Sequence, residues 1–537
     1  MTGRLALATA VTLVALGALV GSLHGQRPTL LTAEASSAAE LAPTAATSSS
    51  AAGSTWYCAA AAATVTVDDV ALQMRSVAVP SRHDVVVANT TAQPVAGIVT
   101  VFGGQMAPRP PADPASASAS SSPVMSEPPP TVTLADDPAP VRRRFQLGPH
   151  SRLSLPLHDV QPGAVTAAVV EADAGGVAVE QKLSGAHGSD VAPCASAAAP
   201  QWHFAWGTTE RNAREVLVLF NPFLSDVSLD GTFTSEDGVR EPLRWQGLNV
   251  PAGSVVAVDV GEDVTRRAQL AAAIRARSGA LVVSRVQAVA DGPGTGLSLA
   301  VGQPVPRAMW TFAEGPLDDG TGERLVLANP SARDAEVDVV VRTSAEEGEA
   351  APQPVPFSLT VRAGRTVTLD LAAEDRLSSA AAMARTTQVW ARNGVPVVAE
   401  RVLQHPSFAG GTTGLPGELS VGGGMPAGAT RWISPVVVHG EDGDTSYLGA
   451  TTDPFRPTQV SVEVQGGLAG PSHPPALQDV VVPPGGQVEL AVPAGEIVGP
   501  DDSATVVVDA TLPVVVERSL HRANRLRAQS PAIPVTP

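Results

Sequence analysis

The chain has 537 residues, 44% of them apolar but only 4% aromatic, so its cores must be built from Val, Leu and Ala. Gly (49) and Pro (48) are abundant, which argues against a mostly helical protein and for many short strands joined by turns. A net charge of −17, spread along the chain, argues against a nucleic-acid partner.

The chain opens on an uncharged apolar run from Leu5 to Leu23, preceded by Arg4 and followed by His24 and Arg27. Residues 1–31 therefore read as a segment for export. Two readings of it stand. The favoured one is an uncleaved membrane anchor, because the run is long enough to cross a bilayer. The other is a cleaved signal peptide, whose nearest small-x-small site (Ala33, Glu34, Ala35) lies well downstream. Either way the remainder is expected outside the cytoplasm, held at the membrane by its N-terminus or secreted. Residues 32–54, rich in Ala, Ser and Thr, read as a disordered tether. Cys58 and Cys194 are the only cysteines, and an even number in an exported chain predicts a disulfide. Two cysteines alone cannot make a structural zinc site.

From residue 55 onward the sequence repeats itself. Each repeat opens on a tryptophan: Trp56, Trp202, Trp310 and Trp432. A strand ending in Asn follows at Val85–Asn89, Leu217–Asn221 and Leu325–Asn329, with a looser match at Tyr447–Pro454. Next comes a turn around a central Gly and an alternating strand (250–260, 361–371, 482–492), whose place 147–157 fills in the first repeat. A closing hairpin ends each repeat, Asn393-Gly394 being a strong tight-turn signal. The stretch 268–277 has helical propensity, but its Val-rich equivalents alternate with period two, so it reads as a strand with a turn of helix before it.

The expected fold is therefore all-β: four tandem immunoglobulin-like antiparallel sandwiches at 55–190, 198–290, 307–404 and 430–522, with a C-terminal tail at 523–537. The Pro/Ser/Ala-rich tract 104–140 falls inside the first sandwich and reads as a disordered insertion.

Trp310-Thr-Phe-Ala-Glu-Gly315, the Asn-Pro strand, the Pro-Ala-Gly-Ser turn and the Val-x-Glu-Arg ending resemble repeats of exported actinobacterial proteins grouped as a domain of unknown function, DUF5719. Ser54-Thr-Trp-Tyr-Cys58 looks like that family's start, whereas Trp206 stands where the motif's Glu would be and the fourth repeat keeps only its Trp. The resemblance carries no assigned activity and hence no catalytic residues. Genes of the family often lie near glycosyltransferase genes, which implies an envelope-polysaccharide setting.

Signals for chemistry are few. The sequence has no nucleophile elbow, no His-Glu-x-x-His and no phosphate-binding loop. Gly292, Gly294 and Gly296 sit in a connector and read as a loop. His150 and His158 flank a strand and are not expected to bind metal. Glu400-Arg401 and Glu517-Arg518, with Glu180 and Arg285 as partial matches, end the closing strands. Neighbours in a strand face opposite ways, so they read as structural ion pairs or edge protection. Asp318, Asp319 and Glu323, then Glu441, Asp442 and Asp444, read as solvated turns rather than calcium loops. The second repeat concentrates aromatics, most simply as core. The sharper reading leaves Trp206, Trp245 and Phe223 as a surface for sugar rings.

The sequence thus predicts a non-enzymatic envelope protein without a cofactor, structural or binding in role, with the membrane and cell-wall glycan or envelope proteins as partners. The alternatives are an accessory factor or enzyme of envelope polysaccharide assembly or turnover, and a carbohydrate-binding module.

Overall fold

The computed structural model describes residues 44–49, 51–61, 82–108, 138–163, 165–185, 188–290, 295–315, 321–343, 356–380, 385–404, 419–438, 444–452, 455–466, 470–497, 503–522 and 525–536. The export segment 1–31, most of the tract 104–140, and Asp318, Asp319, Glu441 and Asp442 lie outside them. Strand dominates, in several sheets.

The third repeat shows the plan most simply. One sheet runs in the order Met309–Phe312, Arg385–Ala391, Ala335–Thr343, Phe357–Val361, and the other in the order Arg365–Asp370, Gly322–Asn329, Val398–Gln404, Leu419–Gly423. The first (outer) and the second (inner) share one core, including Trp310, Phe312, Leu325, Leu327, Val337 and Val389. Strand Ala335–Thr343 buries alternate residues, the period-two signature of a sheet with one wet face. Strand Val282–Val289 of the second repeat is buried at every position. A strand buried on both faces must lie between its own partner sheet and a neighbouring repeat. The first two repeats follow the same strand order, and the fourth gathers its strands, together with Ala46–Thr47, into one nine-stranded sheet around the long strand Ser503–Arg522.

The repeated motifs are structural devices. Asn89, Asn221 and Asn329 are buried, and each side-chain amide donates to carbonyls across the loop that follows: Gln93 at 2.7 Å, Ser225 at 2.8 Å and Arg333 at 2.7 Å. The carboxamide oxygen accepts the N–H two residues on, as in an Asx turn. The turn glycines Gly253, Gly364 and Gly485 have φ of 64°, 62° and 61°, a left-handed conformation that an ordinary residue adopts only at a cost. In the first repeat His150 takes that place, with φ 48°. The stretch read as a strand against its helical propensity is one, Leu270–Ala276, paired with Gln201–Phe204, and short 3₁₀ helices lie at Val260–Glu262 and Asp375–Ala380.

The expected connectors and tail are corrected by the structure. Gly296–Val301, Leu419–Gly423 and Arg525–Pro531 are strands, each adding to the inner sheet of the repeat before it, as Gly188–Pro193 does in the first. Alternating short polar and apolar residues, several of them Gly, hid them from a pattern search. These four strands pack on one another in a cycle: the first on the second, the second on the third, the third on the fourth, and the fourth back on the first. The repeats therefore close into a ring about a common axis. The tether reading also fails in part. Thr44, Ala45 and Ala46 are buried, and Ala46–Thr47 pairs in parallel with Val535–Thr536, tying the two ends of the described chain together.

The disulfide joins Cys58 in the opening strand to Cys194 just beyond the axial strand, with S–S 2.10 Å across a separation of 136 residues. At the equivalent places the second and third repeats have Phe204 with Gly302 and Phe312 with Gly424, where a Cβ on either glycine would lie 2.9 Å from the phenyl ring. The bond thus replaces a ring packed on a glycine. In the chain-entropy account a loop of that length stabilises by roughly 4–5 kcal/mol at most.

Candidate functional site

The buried polar groups concentrate where the repeats meet. At the second junction, Arg285 Nη1 donates to Glu400 Oε2 at 2.9 Å and also to the carbonyl of Trp206, while Trp206 N donates to the same carboxylate at 2.7 Å. The third junction repeats this with Arg401, Glu517 (2.8 Å) and the backbone of Glu314, whose N–H donates to Glu517 at 3.0 Å. The closing junction repeats it again with Arg518, Glu180 (2.9 Å) and the backbone of Val436, whose N–H donates to Glu180 at 3.1 Å. All six charged residues are at most 5% exposed. Arg285 and Arg401 also lie over the rings of Phe204 and Phe312. Strand alternation sends the Glu of a Glu-Arg pair to one neighbour and the Arg to the other, so one inner sheet clasps both. The reading as structural ion pairs is borne out; the pairs are buried, so edge protection is not their role.

At the junction of the first and second repeats, the register places Gln181 and Ser284 where the clasp would be. Gln181 instead meets His83 Nε2 at 3.1 Å. The backbone joins these repeats, through a parallel pairing of Gln105 and Met106 with Val256 and Ala257.

A second set of bonds runs around the axis. Asp190 accepts from Leu299 N at 2.8 Å and Ser298 Oγ at 3.1 Å, Ser298 Oγ accepts from Val421 N at 3.1 Å, and Ser420 Oγ accepts from Gln529 N at 2.9 Å. A cavity of about 40 Å³ opens on the axis between Pro193, Val301, Gly423 and Pro531, beside Thr44. That is room for a few waters and too little for an organic ligand.

Burial moves several ionisations. Desolvation pushes Glu215 up to about 8 despite Arg285 nearby, and Glu314 up to about 8 with Glu489 and Glu517 adding to the rise. It pushes Asp190 up to about 6 and lowers His83 and His203 to about 4. Ser519 Oγ donates to Glu314 at 2.9 Å and lies 3.2 Å from His521 Nε2, but all three are buried between repeats, where no substrate reaches the hydroxyl.

The aromatic residues of the second repeat do not form the expected surface. Trp206 is 2% exposed at the contact with the third repeat, packed with Val326, Val402 and Val421. Trp245 is fully buried, edge-on to Phe233, its Nε1 donating to Asp263 at 2.9 Å. Phe223 is 40% exposed and leans on Tyr57 of the first repeat. Trp202 and Phe204 face one core as alternation predicts, but the strand ends at Phe204, and Trp206 packs with Ala205 at the contact with the third repeat. The exposed tryptophan is Trp390, at 55%. Its outward parity was readable from the strand preceding Asn393-Gly394. Glu323, read as a turn acid, is buried 2.9 Å from Arg385 and is no calcium ligand. His150 lies 3.7 Å from Glu463, and His158 3.0 Å from Asp159. Among the described residues no helix is long and apolar enough to cross a membrane, and no cluster of His, Cys, Asp and Glu could hold a metal.

The sequence model of the family of unknown function DUF5719 matches residues 155–407, so the resemblance read from the repeat motifs is borne out over that stretch. No curated protein matches the chain. Among solved structures, the chain is similar to the Anabaena sensory rhodopsin transducer, at 23% identity over 18% of this chain and 88% of that one, with a TM-score of 0.14. A Thermotoga maritima protein, 1070, is similar at 16% identity over 22% of this chain and 93% of its own, with a TM-score of 0.18.

Proposed function

We propose that this DUF5719-family chain is a non-enzymatic scaffold of the cell envelope, its four immunoglobulin-like sandwiches forming a rigid ring outside the cytoplasm. The observation that carries the reading is the thrice-used clasp. Each buried ion pair, together with the backbone N–H and carbonyl it holds, serves to fix one repeat on the next. The disulfide supports an oxidising compartment, and Leu5–Leu23 supports delivery to the membrane, with the ring displayed beyond it. Such a body offers partners a surface of constant geometry.

The test is to express the full chain in an actinobacterial host and fractionate the cells. The expected result is a membrane-bound protein, cleaved by protease added to intact cells, with both cysteines oxidised. Recovery in the cytosol with free thiols overturns the proposal.

A further inference from the structure

Trp390 stands apart from the other tryptophans. The chain has seven, and six of them (Trp56, Trp202, Trp206, Trp245, Trp310 and Trp432) are at most 2% exposed. The repeats supply an internal comparison for the seventh. In the outer sheet of the third repeat, Met309 is directly opposite Trp390. The same cross-strand place is held by Thr55 with Glu171 in the first repeat, by Gln201 with Arg275 in the second and by Arg431 with Asp509 in the fourth. Three repeats thus put polar or charged pairs on this outward face. The fold has no need of an apolar pair there, yet the third repeat exposes 51% of Met309 and 55% of Trp390. With Val340 on the same face beside Gln388, this pair forms an apolar spot where the other three repeats carry polar pairs, and the contrast singles it out as a candidate interaction site.

The surroundings say what kind. On its other side Trp390 is directly opposite Asp338, which pairs in turn with Ser358. Ser358 Oγ donates to Asp338 Oδ1 at 2.7 Å, and Arg392 Nε lies 3.3 Å from the same oxygen. Arg392 also approaches Glu336 at 3.6 Å, and Arg342 donates to Gln388, two residues before the indole on the same face. The result is one flat ring with a thioether beside it, bordered by hydroxyl, carboxamide, carboxylate and guanidinium groups whose charges cancel. A pyranose presents a matching surface: an apolar C–H face with hydroxyls around its rim. A charged ligand would find no net opposite charge here.

We propose that Met309 and Trp390 form a binding platform for the apolar face of an uncharged pyranose unit of a glycan, with Asp338, Arg392 and Gln388 as its hydrogen-bonding rim. The site lies on an exposed sheet face and includes none of the buried clasp residues, so it does not depend on the envelope scaffold reading.

Affinity electrophoresis of the full chain through gels cast with a soluble β-glucan, a mannan or an arabinogalactan tests this. At least one polysaccharide should retard the protein and shield Trp390 from acrylamide quenching. Trp390→Glu, which copies the residue of the first repeat, should weaken retardation tenfold or more while leaving the melting temperature unchanged, and Trp390→Phe should retain part of it. Failure of all three polysaccharides to retard the protein overturns the proposal, as does equal retardation of Trp390→Glu. A Trp390→Glu variant that changes oligomeric mass but not retardation would show that the patch binds a second copy of the chain instead.

Discussion

Single residues in this molecule are fixed either by backbone geometry or by the cost of burying charge. Gly253 isolates the first effect. It has φ 64°, and a Cβ added there would meet nothing within 4 Å, so any penalty for a side chain is conformational. Gly253→Ala is expected to lower stability by about 1 kcal/mol, read from denaturant midpoints at constant slope. Glu215 isolates the second. Its carboxyl is fully buried among Arg285, Glu400 and Asp259, and it titrates near 8 in the fold against 4.5 for the free side chain. The fold therefore keeps a proton that the unfolded chain releases. The stability this contributes is complete below pH about 4.5 and is lost as pH rises through about 8. His83 and His203 act oppositely, since they are held neutral down to about 4 and cost stability as pH falls below 6.5. Melting temperature should thus peak in mildly acidic buffer. Glu215→Gln should raise it at pH 9 and change it little at pH 5, and equal shifts at both pH values would show that the carboxyl is not protonated in the fold.

At the scale of elements, the clasp shows what alternation in a strand can do. Glu400 reaches back to Arg285 and Trp206, while its neighbour Arg401 reaches forward to Glu517. Removing one partner strands a buried charge, so Glu400→Leu should cost about 3–5 kcal/mol. The double variant Arg285→Met with Glu400→Leu should recover most of that loss, because an apolar pair needs no compensation. A double variant no more stable than Glu400→Leu would mean that the N–H of Trp206, and not the ion pair, is the costly group. The sequence made the Glu-Arg pairs legible as structural and out of reach of a shared site, because adjacent residues face opposite ways. It could not show that the partners lie in other repeats, since contacts such as Arg518 with Glu180 join opposite ends of the chain. The Asn and Gly positions were legible as turn signals because their physics is local. The axial strands were not. In Leu419–Gly423 two of five residues are glycine, and what makes it a strand is the pairing with Val398–Gln404 on one side and the packing of neighbouring repeats on the other. Trp206 misled for the same reason, because a tandem array read in one dimension has no face hidden by the next repeat but one element away.

For the whole molecule, closure separates a ring from a string of beads. Three of its junctions join repeats that are consecutive in the chain, so a weakened contact there is still held at high local concentration by the connecting segment. The fourth joins the last repeat to the first, and nothing covalent spans it. It depends on Arg518 with Glu180, on Arg152 donating to the carbonyls of Pro435 and Ser503, and on the parallel pairing of Ala46–Thr47 with Val535–Thr536. The same chemical change should therefore have different consequences at different junctions. Arg285→Met strands Glu400 and should lower stability while leaving the ring shut, because the second and third repeats remain tethered. Arg518→Met strands Glu180 to a similar degree, but at a place where separation is limited only by the length of the whole chain, whose closure entropy grows with that length. It should therefore open the ring, seen as a larger radius of gyration in solution scattering and as new protease cleavage near residues 44–49 and 525–536. The Cys58–Cys194 bond lies within the first repeat and should not prevent this opening. Equal compactness of the two variants would show that closure rests on the axial packing of the four strands rather than on the clasp.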